Sequence, residues 1–139
     1  MIYFTDDLTN ITEKHLTNPF FIGWMNPPSP QTHLQILHGS YKVWLAIDDE
    51  SGQIVGFISA ISDGVLAAFI PNLEVSPDYQ EQGIGSELVK RMLDSLNHLY
   101  SIDLICDDDV VAFYERLGLR RAGGMLTRNY DKQSGSSAE

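Results

Sequence analysis

The sequence predicts an α/β domain, and three local patterns predict it. Leu73 to Leu88 begins as a strand, passes the turn signal Ser76-Pro77, crosses two glycines and becomes an amphipathic helix. Asp63-Gly64, set between two apolar runs, marks a β-hairpin. Ile102 to Cys106 is short and largely apolar, like a strand buried on both faces, and a second helical stretch follows it. A chain of 139 residues is long enough for one domain with its own core. No repeat or linker divides it, so the expected domain covers 1–132, and the Ser/Gly-rich stretch 133–139 is expected to fray.

In chain order, residues 2–4 suggest a short first strand. Asp6 to Leu16 reads as a helix with Leu8 and Ile11 inward, stopped by Thr17-Asn18-Pro19. Phe20 to Trp24 is an apolar knot, and Asn26 to Pro30 a rigid loop. Gln31 to Leu37 reads as a helix with Leu34 and Leu37 inward and Gly39 as the stop. Val43–Ile47 and Gln53–Ile61 read as strands, the second with Gly56 as a candidate bulge. Val65 to Val75 returns antiparallel after the hairpin. From Gly83 to Leu99, Ile84, Leu88, Met92 and Leu96 form one stripe at intervals of four, the mark of a helix lying on a sheet. Asp107 to Asp109 is placed to cap a helix over Val110–Leu117 that Gly118 ends. Leu119–Ala122 and Met125–Tyr130 are expected to complete the sheet.

Composition removes several classes of function. The net charge of −10 disfavours nucleic acid as a partner. No apolar run reaches the ~18 residues of a membrane span, and the N-terminus lacks the layout of a secretion signal. Cys106 is the one cysteine, so no internal disulfide forms, which fits a reducing cytoplasm. The four histidines show no metal-ligand spacing, and Asp107-Asp108-Asp109 lacks the glycine and glutamate of a calcium loop, so no metal is expected. The charge is uneven. Residues 1–89 carry two basic and eleven acidic side chains, against seven and eight in 90–139. Either this is an ordinary acidic surface, or the C-terminal half meets an anion while the N-terminal half meets a cationic amine.

The glycine turn is the first chemical motif. Gly83 and Gly85 lack a Cβ, so backbone N–H groups there can approach a ligand closely. The first N–H groups of the following helix have no internal partner and carry the positive end of its dipole. Such a turn suits an anion, with pyrophosphate as the natural occupant, although two glycines can also make a tight turn that binds nothing. A P-loop would need a lysine after the second glycine, where Ser86-Glu87 stands. A dinucleotide fingerprint would need a third glycine at Leu88, which counts against an NAD-type enzyme using Asp103 as ribose ligand.

What remains, Gln80-x-x-Gly83-x-Gly85, resembles the pyrophosphate loop of the GNAT superfamily of acyl-CoA-dependent N-acetyltransferases, whose pattern is Arg/Gln-x-x-Gly-x-Gly/Ala. Phe113-Tyr114-Glu115-Arg116-Leu117-Gly118-Leu119 is similar to a second segment of that family, Phe/Leu-Tyr-x-x-x-Gly-Phe, with Leu119 replacing the usual aromatic. The two segments stand in the family's order, and the resemblance covers roughly residues 43–130. It implies an α+β fold: a mixed, mostly antiparallel sheet with flanking helices, whose two central parallel strands splay apart. It implies acetyl-CoA as co-substrate. The pyrophosphate would rest on the N–H groups of Gln80 to Ser86, chiefly Gln82, Gly83, Ile84, Gly85 and Ser86, and pantetheine on the backbone of Leu73 and Val75, with Phe113 alongside. Gln80 replaces a frequent arginine and Glu81 adds negative charge, so affinity would rest more on backbone donors.

The resemblance further implies transfer of an acetyl group to a primary amine by direct attack in a ternary complex, with a small molecule preferred to a protein as acceptor. Tyr114 is the candidate general acid for the leaving thiolate, or else a tyrosine packed against the sheet. Glu74 is the candidate base, or else a structural carboxylate held by a neighbour. Cys106 reads as a small buried strand residue, and Phe20, Phe21 and Trp24 as core or as walls of the acceptor pocket. A homodimer is compatible with the family. The alternative function is a CoA sensor or interaction module that keeps the cofactor loop without turnover.

Overall fold

One five-stranded mixed sheet organises the computed structural model, which describes residues 1–136. Its strands are β1 (Ile2–Thr5), β2 (Lys42–Asp48), β3 (Ile54–Ser62), β4 (Ala67–Val75) and β5 (Ser101–Leu104), and they neighbour one another in chain order. The first four pair antiparallel, and β5 runs parallel to β4. Helix α1 (Pro30–Gly39) precedes β2, α2 (Ile84–Ser95) links β4 to β5, and the short α3 (Val111–Arg116) follows β5. The expected α+β architecture is therefore present.

The sheet separates two apolar clusters. On one face, Ile84, Leu88, Val89, Met92 and Leu96 of the predicted α2 stripe pack on Val55, Ile58, Ala68 and Ile70. On the other, Leu37 of α1 joins Leu45, Phe57, Leu16 and Phe21. At Gly56, α2 lies close against the sheet. A Cβ there would lie 3.2 Å from the Glu74 carbonyl oxygen and 3.3 Å from side-chain atoms of Ile84 and Leu88. The β2–β3 register also shifts beside it, so the expected bulge is there too.

Two expected elements did not form. Asp6 to Leu16 holds only a 3₁₀ turn, Glu13–His15, rather than a helix. Thr5 Oγ1 accepts from the Asp7 N–H and Asp7 Oδ1 from the Thr9 N–H, so short polar side chains hold the start of this stretch in local turns. The final strands are also absent: Leu119 to Asn129 has no regular structure and pairs with no strand among the described residues. Part of the expected tail is in contact with the fold, since Gln133 Oε1 accepts from the Asn26 N–H at 2.9 Å. Residues 137–139 of that tail lie outside the described residues.

Candidate functional site

The parallel pairing of β4 with β5 ends at Ile70 and Leu104. β4 nevertheless continues to Val75 on β3. A register shift helps, because Ile70 and Pro71 together stand opposite Ala60. From Pro71 onward the two parallel strands part, and an open cavity of about 380 Å³ lies between them. Its walls are residues 70–74 of β4, residues 104–107, Val110 and Tyr114, together with Trp24, Leu126 and Arg128.

Backbone polar groups alternate sides along a strand. The Ser76 N–H reaches back to the Val55 carbonyl. The Val75 carbonyl instead accepts from Gln80 Nε2 at 2.9 Å. By alternation, the Val75 N–H and both polar groups of Leu73 face the gap. The Leu73 and Val75 side chains join the α2 cluster, so Glu74 and Asn72 point to the opposite face.

The turn into α2 leaves a run of unused donors. Gly83 is the N-cap at φ +83, a left-handed conformation that glycine adopts without strain, and no side chain caps the helix. Its first backbone bond is from the Glu87 N–H to the Gly83 carbonyl. The N–H groups of Glu81, Gln82, Gly83, Ile84, Gly85 and Ser86 have no hydrogen-bond partner among the described residues. Gln80 departs from expectation: its N–H goes to the Pro77 carbonyl at 3.4 Å and its side chain to Val75. Its role in the fold is to tie the loop to the end of β4. Phe113 packs over the start of the helix, with ring atoms 3.6 Å and 4.0 Å from where a Gly85 Cβ would stand.

Glu74 and Tyr114 both line the cavity. Burial raises the Glu74 pKa, partly opposed by the hydrogen bond that Oε1 accepts from the Phe21 N–H at 2.6 Å. That bond crosses 53 residues of sequence and holds Phe21 at φ +59, an unusual conformation for a bulky residue. The knot after it is thereby divided. Phe21 is core at 4% exposure, Phe20 packs beside it, and Trp24 reaches the cavity wall. Tyr114 is half-buried, its ring edge-on to Phe113 at 5.0 Å. Burial, and then the charge of Cys106, push its pKa up to about 12. Its hydroxyl is therefore a donor throughout the physiological range. Cys106 lies beyond the end of β5, half-exposed on the cavity wall rather than buried in a strand.

His33 was not singled out by sequence reasoning. It is 2% exposed, ringed by Phe20, Phe21 and Phe57, and its Nε2 has no partner among the described residues. Its position four residues before Leu37, on the same stripe of α1, was the available signal. Among the described residues, no group of three His, Cys, Asp or Glu side chains is arranged to hold a metal ion. No helix among them is long and apolar enough to cross a membrane.

Known proteins share this fold. The family model described as "Acetyltransferase (GNAT) family" matches residues 9–119. A solved putative acetyltransferase from Deinococcus radiodurans R1 is 50% identical, with a TM-score of 0.93 over 99% of this chain and 94% of that one. The GNAT family protein SP0256 from Streptococcus pneumoniae TIGR4 is 29% identical, with a TM-score of 0.74 over 93% and 98% of the two chains. The uncharacterized N-acetyltransferase ycf52 of Porphyra purpurea is 30% identical over 100 residues, which are 70% of this chain and 58% of that protein. The chain thus spans little more than half the length of that relative.

Proposed function

This chain belongs to the acetyltransferase (GNAT) family, and from that premise we propose that it moves an acetyl group from acetyl-CoA to a small primary amine, by direct attack in a ternary complex in a reducing cytoplasm. One observation carries the reading: six consecutive unpaired N–H groups, Glu81 to Ser86, beside an open gap between parting strands. The residues fit the co-substrate. The donor run suits a diphosphate, chiefly at Gln82, Gly83, Ile84, Gly85 and Ser86. The gap-facing backbone of Leu73 and Val75 suits the amides of a pantetheine arm, much as an added strand would. Gln80 braces the loop rather than binding.

Acetyl-CoA supplies an acyl carbon bonded to a thiol leaving group. On the other face of β4, Glu74 takes a proton from the acceptor amine, most amines being protonated at neutral pH. Burial raises its pKa, which makes it a better base than an exposed glutamate. Tyr114 donates to the departing sulfur. A phenol of pKa about 12 facing a thiol of about 8.5 gives a full proton transfer that is uphill by about 5 kcal/mol. Tyr114 therefore acts first as a hydrogen-bond donor to developing negative charge. Glu74, Asn72 and Trp24 on the cavity wall suit a cationic amine that presents apolar surface.

The high Tyr114 pKa and the engagement of Glu74 by Phe21 also favour a second reading, a CoA-binding module with weak turnover. Calorimetry with acetyl-CoA, followed by a thiol-release screen over polyamines, aminoglycosides, arylalkylamines, amino acids and peptides, separates the two. Binding with release supports the enzyme, and stoichiometric binding without release supports the module. Absence of binding refutes both.

A further inference from the structure

Glu74 spends only one of its carboxylate oxygens on the protein: Oε1 accepts from the Phe21 N–H at 2.6 Å. Oε2 has no hydrogen-bond partner among the described residues and is left for an acceptor amine. Side chains alternate along a strand, so Asn72 leaves the same face of β4 as Glu74, about 7 Å along it. Asn72 is half-buried on the cavity wall, and its side-chain amide also has no hydrogen-bond partner among the described residues. Ser59, its paired residue on β3, is fully buried with its hydroxyl unpartnered among those residues. This face of β4 therefore carries polar groups that the fold does not use.

Arg128 lines the same cavity. It enters no ion pair among the described residues, although acidic side chains outnumber Lys and Arg 19 to 9. Its Nη1 reaches only the carbonyl of its neighbour Thr127, at 3.1 Å. Asp107, the other carboxylate on the wall, does not pair with it. A guanidinium left with its charge, facing a cavity that also holds an amide with spare donors, suits a carboxylate, whose two oxygens take parallel N–H donors.

We infer that the acceptor is a free α-amino acid. Its amine meets Glu74 Oε2, its carboxylate is held by Arg128 and Asn72, and its side chain lies on the apolar wall of Trp24 and Leu126. An amine and a carboxylate on one carbon suit two side chains that leave a strand about 7 Å apart, since each hydrogen bond itself spans about 2.9 Å. The inference rests on the acetyltransferase reading and narrows its amine to one that bears a carboxylate.

Matched pairs test it on the full chain: phenylalanine with phenethylamine, leucine with isoamylamine, histidine with histamine and lysine with cadaverine. Thiol release gives kcat/KM for each, and calorimetry in the presence of CoA gives affinity. In at least one pair the amino acid is expected to be favoured by about tenfold or more in both measures. Arg128→Gln is expected to cut that preference by about tenfold, and Arg128→Lys, which keeps the charge without the paired donors, to retain part of it. The readout is the ratio within a pair, which a general loss of folded protein does not move. Turnover with no preference for the amino acid, or a preference that survives Arg128→Gln, overturns the inference and leaves acetyl transfer standing. Preferential binding that depends on Arg128 but gives no thiol release supports the carboxylate grip and refutes the transfer. Neither binding nor release with any pair overturns both.

Discussion

Replacing Glu74 separates its structural role from its proposed chemical one. Glu74→Ala removes a carboxylate that stands 2.6 Å from the Phe21 N–H. Phe21 is only 4% exposed, so water cannot readily replace the lost acceptor. A hydrogen bond to a charged group contributes about 1.5–3 kcal/mol. It also helps to hold Phe21 at φ +59, a conformation that costs about 1–3 kcal/mol. Against this, the variant no longer buries an ionised group, the cost of which is visible in the raised Glu74 pKa. The net expectation is a loss of about 1–2 kcal/mol, or a fall in Tm of about 4–8 °C at this chain length. Glu74→Gln keeps an oxygen in place and is expected to hold Tm within about 3 °C. Both variants are expected to lose turnover by about 10²–10⁴-fold, because neither carries a base. The parent rate should rise with pH through a value above the ordinary glutamate 4.5, and the Gln variant should lose that limb. Thermal unfolding and thiol release over a pH series supply the readouts. Equal melting temperatures for Ala and Gln would refute the loop argument, and a Gln variant at parental turnover would refute the base.

Tyr114→Phe removes a hydroxyl that has no hydrogen-bond partner among the described residues, so Tm should hold while kcat falls about 10²-fold at unchanged acetyl-CoA affinity; steady-state kinetics with an unchanged kcat would contradict this. Gly83→Ala places a methyl in open space at φ +83, so its cost is conformational alone, about 1–2 kcal/mol; calorimetry should also show weaker acetyl-CoA binding, and a variant indistinguishable from the parent would count against the turn geometry. Burial pushes the His33 pKa down to about 4, against 6.5 in the unfolded chain. The folded state thus takes up a proton less readily than the unfolded one. The His33 contribution to stability is complete above pH 6.5 and falls by about 2–3 kcal/mol by pH 4.5. In urea unfolding at pH 7 and pH 4.5, His33→Leu should lose less stability across that interval than the parent; equal losses would contradict the assignment.

Local signals made the centre of the site legible. The α2 stripe depends on a period within one helix, and the glycine turn on residues that adopt a left-handed conformation, so both could be read before any tertiary contact was known. The hairpin at Asp63-Gly64 was legible for a similar reason, since Asp63 Oδ1 receives the Val65 and Leu66 N–H groups within the turn itself. What failed depended on partners. Asp6 to Leu16 carries apolar spacing, but Thr5 and Asp7 bond to backbone two residues further on and form local turns instead. Leu119 to Asn129 carries strand-like side chains, yet a strand exists only where a second strand pairs with it. The bond between Glu74 and Phe21, and the aromatic ring around His33, join residues far apart in sequence and leave no local trace.

The central claim is that the turn before α2 grips a diphosphate with bare backbone. Following ¹⁵N–¹H resonances during a titration with CoA tests it most directly. The amides of Gln82, Gly83, Ile84, Gly85 and Ser86 should move together and saturate, while Ser76, already bonded to Val55, moves far less. If CoA saturates the protein and those five amides stay where they were, the turn is not the grip.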